Sequence, residues 1–251
     1  MRYFVRLSYK GTKFHGWQIQ PNAISIQEEL EKAFSIILQQ KTAITGAGRT
    51  DAGVHARNYI AHFDMENDHF ESDLSSLIYK LNAILPYDIA IHEIKAVKED
   101  THARFDAKSR TYKYYISKQK DTFNYEFSWL RYGKLNIELM NEACEILMTY
   151  SDFTSFAKLH ADNKTNICNI TTAFWKEEDM NIIFEITADR FLRNMVRSIV
   201  GTMLSIGLER LSIDDFKQII ESKNRNNAGV SAPANGLFLI NIVYLDEIYL
   251  A

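Results

Sequence analysis

The feature that most limits the fold of this chain is the order in which its hydrophobic period changes. Residues 2–9 alternate polar and apolar as a strand does, and Ser25 to Leu38 carries helical spacing. Ser25 stands where a cap belongs, with Glu28 three residues on, the pattern of a capping box. Strand character returns at 42–45 and 57–64, helical period runs from Ser72 to Leu85 and stops before Pro86, and Ile89 to Val97 alternates again. Beyond these come a Tyr-rich strand from Arg110 to Ser117, a helix over 136–149, and a hairpin of 167–176 with 181–188. Helices over 191–207 and 212–221 and a strand at 237–245 complete the pattern. Strands and helices mix without the regular alternation of a parallel α/β protein. The order strand, helix, strands, helix, strand occurs about twice with a seam near residue 106. The expected class is α+β with two related halves, 1–106 and 107–251.

Composition removes several alternatives. A length of 251 residues is ample for a buried core, and 46% hydrophobic with 24% charged residues excludes disorder driven by charge. Ten glycines and three prolines exclude collagen-like and low-complexity chains. The two cysteines, Cys144 and Cys168, exclude a disulfide framework and point to a reducing cytoplasm. The alternating N-terminus lacks the apolar core of a signal peptide. The longest apolar stretch, Leu237 to Leu245, is interrupted by Asn241 and is too short to span a bilayer, so no membrane segment is expected.

The net charge of −3 hides an uneven distribution. Basic residues exceed acidic ones by four over 1–62, by four over 106–135 and by three over 190–235, while the stretches between are acidic. Blocks of either sign are commonly solvated surface. Three basic segments converging on one face would instead make an electrostatic footprint for nucleic acid.

One of those segments holds an arginine stripe. Advancing about 100° per residue, a helix over 190–203 places Arg190, Arg193 and Arg197 on one side, opposite Leu192, Met195, Val196, Ile199 and Met203. Three arginines without lysine favour bidentate contacts to phosphate or carboxylate.

Three of the ten glycines fall in Gly46-Ala47-Gly48-Arg49-Thr50-Asp51-Ala52-Gly53, between two expected strands. Asp51 stands where a dinucleotide fingerprint needs its last glycine, and no Gly-Lys-Ser/Thr of a P-loop is present. A turn whose glycines supply positive φ is the plain alternative. Against it stand Arg49 and Asp51, two apart in a tight loop, with Val54 and His55 leading into the strand. A nearby guanidinium keeps a carboxylate ionised, which suits a nucleophile better than a general acid.

Gly46 to Ala56, GAGRTDAGVHA, resembles the catalytic motif of the tRNA pseudouridine synthase A family. Further stretches agree in order: Tyr9-Lys10-Gly11 with Phe14 to Gln18, His102 to Phe105 with Arg110 to Tyr114, and Asp152 to Phe156. Phe191-Leu192 with Met195 to Arg197, then Ile199 to Gly201, and Ala232 to Ala234 with Gly236-Leu237 follow, so the likeness runs from about residue 5 to 240. Around Thr165 to Ile170 the family often has a basic residue, where this chain has Asn166, Cys168 and Asn169.

The resemblance implies a pseudouridine synthase fold. It consists of two ferredoxin-like halves around a central, mostly antiparallel sheet with a cleft between them, the first half carrying the aspartate loop. It implies conversion of uridine to pseudouridine on the 3′ side of the anticodon stem-loop, positions 38–40 of tRNA, by a homodimer without cofactor. By the same resemblance Asp51 is the catalytic aspartate, Tyr112 stacks on the flipped uracil, Arg49 fills the space the flipped nucleotide leaves, and Arg197 faces Asp51. The binding set is then Leu237 on the pocket wall with Arg190, Arg193 and Arg57. Whether Asp51 attacks C1′, attacks C6 or assists a glycal route stays open. Tyr114 and Tyr115 read as ordinary strand aromatics, and Trp17 as packing. His55, His62 and His69 recur every seven residues, but odd spacing on a strand alternates faces and no Cys cluster accompanies them, so no metal site is expected.

Overall fold

The computed structural model describes residues 1–66, 73–159 and 164–250. The start of the expected second helix at Ser72, and His69, lie outside the described residues. The chain divides into two compact units, Met1–Lys108 with Leu239–Ala251, and Ser109–Phe238. The C-terminal segment from Leu239 therefore belongs with the first unit, whereas the seam read at 106 counts it with the second.

In the first unit, β1 (Arg2–Tyr9) lies between β3 (His55–Asp64) and β4 (Ile89–Val97), antiparallel to both, and the short β2 (Thr45–Gly46) pairs with β3. With helices α1 (Ile26–Leu38) and α2 (Leu74–Ile84) between the strands, this is a βαββαβ unit in the order 4-1-3-2, a ferredoxin-like arrangement. Tyr3 stacks on Phe63 at 5.6 Å, and Phe34 of α1 meets Phe63 edge-on at 4.7 Å. Phe4 points to the other face of β1 and is also buried, because Tyr244 and Tyr249 of the C-terminal segment cover it at 4.9 and 6.2 Å.

Helix α1 starts where expected, the Ser25 hydroxyl accepting from the Glu28 amide at 3.2 Å. The Glu28 carboxylate turns to Lys32 at 2.8 Å, so the reciprocal half of the box gives way to an i,i+4 ion pair. A full capping box stands instead at Ser212 and Asp215, opening α5 (Ile213–Glu221). The strand expected at 42–45 begins only at Thr45. Side chains of α1 satisfy the backbone before it, Glu31 taking the Ile44 amide at 3.0 Å, Gln27 giving to the Ile44 carbonyl at 2.9 Å, and Ser35 taking the Thr42 amide at 3.0 Å.

In the second unit, β5 (Ser109–Ser117), β8 (Asn181–Ala188) and β7 (Ile170–Glu178) lie side by side and antiparallel, and β6 (Trp129–Leu130) pairs parallel with the end of β5. Helix α3 (Ile137–Leu147) packs on β7, and its Met140, Ala143, Cys144 and Leu147 are buried. Cys144 and Cys168 are free and buried, and burial pushes both thiols up to about 12. A single asparagine clips a helix to a strand in each unit. Asn82 of α2 holds both backbone groups of Ile91 at 2.8 Å, and Asn141 of α3 holds those of Trp175 at 2.7 and 3.0 Å. Strand β9 (Leu237–Val243) leaves the second unit at Phe238 and continues into the first.

Helix α4 runs from Met195 to Gly207, four residues shorter at its start than the period predicts. Asn194 caps it in the left-handed region at φ 66°, and the chain before it is held by bonds outside the helix. The Arg193 carbonyl accepts from Lys158 at 3.0 Å, and Asp189 accepts from the amides of Asn169 and Arg190 at 2.8 and 2.7 Å. Arg190 and Arg193 thus lie outside the helix, and the stripe read from helical angles does not form; only Arg197 is helical. Among the described residues no helix is long and apolar enough to cross a membrane.

Candidate active site

Asp51 opens a four-residue turn, its carbonyl accepting from the Val54 amide at 3.1 Å. Gly53 takes φ 80° in the third place of that turn, where a side chain would be strained. The other two glycines of the motif serve differently. A Cβ on Gly46 would run into the Tyr59 hydroxyl and the Trp17 indole, whereas one on Gly48 would meet nothing within 4 Å.

A second segment, 11–17, braces the turn. The Thr50 carbonyl accepts from the Trp17 amide at 3.2 Å, the Phe14 carbonyl accepts from the Gly53 amide at 3.3 Å, and the Gly11 amide donates to Nδ1 of buried His55 at 3.0 Å. The approach is close enough that a Cβ on Gly16 would strike the Thr50 carbonyl and one on Gly11 the Val54 carbonyl. Below, the Thr50 hydroxyl bonds that of Tyr9 at 2.8 Å in the core, Trp17 stacks on Tyr59 at 4.1 Å, and the Tyr59 hydroxyl donates to the Gly48 carbonyl. Asp51 is therefore fixed by anchored neighbours on both sides while its own side chain stays half-buried; Arg49, two residues before it, and Arg57, on β3, are exposed. Gly11, Gly16, His55 and Tyr59 make this cradle. Their signal in the sequence was two further glycines in a glycine-poor chain, Gly11 before the Phe14 to Gln18 stretch and Gly16 within it.

His62 likewise spends Nδ1 as an acceptor, from the Ala103 amide at 3.1 Å. Burial, with the Arg2 charge second, lowers its pKa to about 4. Trp17 is buried, in keeping with a packing role.

In the second unit Tyr112 stands on β5 opposite Ile186, half-buried, its ring edge-on to Phe191 at 5.1 Å. Two residues on, Tyr114 is fully buried and gives its hydroxyl to the Pro233 carbonyl at 2.8 Å; burial raises its pKa, so that proton stays on. Tyr115 packs edge-on against Phe238 at 5.2 Å. Arg197, in the first turn of α4, donates from Nε to the Ala232 carbonyl at 2.7 Å, and its carbonyl takes the Ala232 amide at 2.9 Å.

The segment carrying Ala232 is itself held. The Arg225 guanidinium reaches the carbonyls of Ala228 and Gly229 at 3.3 and 3.1 Å and the Ser231 hydroxyl at 3.0 Å, and the Asn194 side chain reaches the same hydroxyl at 2.6 Å. Leu237 is buried directly after the turn Ala234–Gly236, where Gly236 lets the Tyr114 ring approach. Arg190 is half-buried and Arg193 exposed, both in the segment before α4. At the departure noted above, the Asn166 side chain donates to the Thr154 hydroxyl at 3.0 Å and the Asn169 amide to Asp189, so the stretch serves local structure. The structure thus brings Arg49, Asp51 and Arg57 to one loop and strand of the first unit. Tyr112, Arg197 and Leu237 stand on neighbouring segments of the second.

A family profile described as tRNA pseudouridine synthase matches residues 7–106 and 143–245. The chain belongs to the tRNA pseudouridine synthase family. By that membership it is an isomerase. It is similar to a tRNA pseudouridine synthase A of Bacteroides fragilis, 55% identical over 249 residues that span 99% of this chain and 98% of that one. One from Porphyromonas gingivalis is 51% identical over 99% of each chain, and one from Acetivibrio thermocellus 39% identical over 95% and 97%. Among solved structures, a Cbf5-Nop10-Gar1 complex aligns over 94% of this chain and 57% of that one at 11% identity, with a TM-score of 0.35. Arg49, Asp51 and Arg57 fall in the first stretch matched to the pseudouridine synthase family, and Arg190, Arg193, Arg197 and Leu237 in the second; Tyr112 falls between them.

Proposed function

We propose that the chain isomerises uridine to pseudouridine on the 3′ side of the tRNA anticodon stem-loop, with Asp51 as the catalytic carboxylate. The observation that carries this reading is the cradle of Asp51. A half-buried carboxylate is held by Thr50, Gly53 and Val54 against a second braced segment, beside an exposed arginine. Such a group is ready to act without reorganising its loop, which is what positioning contributes to catalysis.

A uridine inside an RNA helix cannot present its glycosidic bond to a carboxylate, so the target is flipped out. Tyr112 then stacks on the uracil and Leu237 contacts it, Arg197 joins Asp51 in the catalytic set, and Arg49 takes the place the nucleotide vacates. Arg57, Arg190 and Arg193 hold the phosphates. Uracil leaves as a delocalised anion, which is why one carboxylate suffices where a retaining glycosidase needs two. The working form is a homodimer in the cytoplasm, a setting in keeping with two free thiols.

Incubation with unmodified tRNA carrying tritium at uracil C5 tests the proposal. Isomerisation releases the label into water only from uridines of the anticodon arm. A binding protein without activity releases none, and a hydrolase liberates free uracil; either result overturns it. Sedimentation at micromolar protein showing only a 29.1 kDa species contradicts the dimer.

A further inference from the structure

We propose that the loop between β5 and β6, together with the residues that follow β6 to Lys134, is a stacking surface for unpaired nucleotides of an RNA substrate. The inference deepens the tRNA reading above and rests on it.

The loop is closed and internally satisfied. The Arg131 amide donates back to the Ser117 carbonyl at 2.9 Å, so the chain returns to its own starting point. Asp121 accepts from the amides of Phe123 and Asn124 at 2.9 and 3.0 Å and from the Asn124 side chain at 2.8 Å. A single helical turn, Tyr125–Phe127, follows, and the Asn235 side chain ties it down at the Ser128 carbonyl, 2.8 Å away. Phe127 packs toward Phe238 at 6.1 Å.

From this fixed backbone three rings stand in water. Phe123 is 89% exposed, Tyr125 65% and Tyr132 70%. Each leaves a large apolar face unburied, two of them in the loop and one two residues past β6, and exposed apolar surface of this size marks an interaction site.

The charge around the rings selects the partner. Lys120 and Lys134 are exposed, and the Arg131 guanidinium lies over the Trp129 ring at 5.6 Å. The oxygens of Asp121 are occupied by the loop's own donors. Rings interleaved with cations make a surface for single strands, because every base offers a π-face and every linkage a phosphate. A surface between protein copies is instead depleted in lysine. The Asn235 tether also joins this loop to the segment two residues before Leu237, which the proposed reaction places at the uracil. The loop lies between the two stretches matched to the family, so membership assigns it no role.

Fluorescence anisotropy with unmodified tRNA tests the inference on Phe123→Ala, Tyr125→Ala and Tyr132→Ala, with sedimentation run on the same samples. Each ring removed is expected to weaken binding by about five-fold or more, and Phe123→Trp to keep it. Lys120→Gln with Lys134→Gln should flatten the log–log salt slope by about one unit or slightly more. Unchanged affinity in all three ring variants overturns the inference. So does affinity lost only in step with dissociation of a dimer, which gives the rings to a second copy of the chain. Tritium release by the wild-type protein is read in parallel. No release, with ring variants still losing affinity, counts against the proposed reaction; release with unchanged affinities counts against the loop.

Discussion

Gly46 and Gly48 stand two apart in one loop, yet their surroundings ask for opposite tolerance to a methyl group. Trp17 and Tyr59 are stacked and buried against Gly46, and the Tyr59 hydroxyl is engaged, so neither ring has room to yield. Gly46→Ala is expected to cost about 1–3 kcal/mol by overpacking. Gly48→Ala, with open space, should change stability by less than about 0.5 kcal/mol. Urea midpoints at constant m-value measure both, and equal losses would contradict this account of the cradle. His62 supplies a pH test. Its folded pKa of about 4 lies below the ordinary 6.5, so the native state favours the neutral ring. As pH falls from 6.5 toward 4 the unfolded chain takes up a proton that the native protein refuses. Stability is therefore full above 6.5 and declines through that window, by at most on the order of 3 kcal/mol. His62→Asn keeps an acceptor for the Ala103 amide and loses the titration, so its stability at pH 7 and pH 4.5 should differ by less than in the wild type.

The element that most needs support is the first turn of α4, because Arg197 reaches its partner Ala232 on a segment with no regular structure. Arg225 bridges two carbonyls and a hydroxyl of that segment from one planar group, which a lysine cannot reproduce. Arg225→Lys is expected to lose about 1–2 kcal/mol and to slow turnover in folded protein, whereas tRNA affinity holds. Thermal melts paired with tritium release check it; turnover unchanged in folded protein would show that the segment does not govern Arg197. Elements whose stability comes from their own periodicity were legible from sequence: β1, α1, α3, β4 and β5 fall within a residue or two of expectation. Where bonds from outside an element settle the backbone, local pattern misled. Gln27, Glu31 and Ser35 replace the strand before Thr45, and Asp189, Lys158 and Asn194 hold Arg190 and Arg193 out of the helix that their spacing suggested. The Asp51 loop was legible because its residue types are unusual together. The role of its brace was not, since Gly11, Gly16 and His55 stand in recognisable stretches but act on the loop only through contacts across the chain.

At the scale of the molecule, each unit is a sheet with helices packed on it, and in each an asparagine clips a helix to a strand, at Ile91 and at Trp175. Such a scaffold leaves the loops to carry the chemistry, and among them the claim falls on one carboxylate. Asp51→Asn is nearly isosteric, and the bonds that shape its turn are made by backbone groups, so the loop should persist. Affinity for tRNA rests on phosphate contacts spread over the surface and should survive, or tighten slightly with one negative charge removed. An amide is a far poorer nucleophile and base than a carboxylate, so turnover should fall by several powers of ten. The measurement is the rate of tritium release from C5-labelled tRNA by Asp51→Asn protein that is folded by circular dichroism and binds tRNA with wild-type affinity. Loss of release with retained binding is the expected result; release near the wild-type rate would contradict Asp51 as the catalytic group.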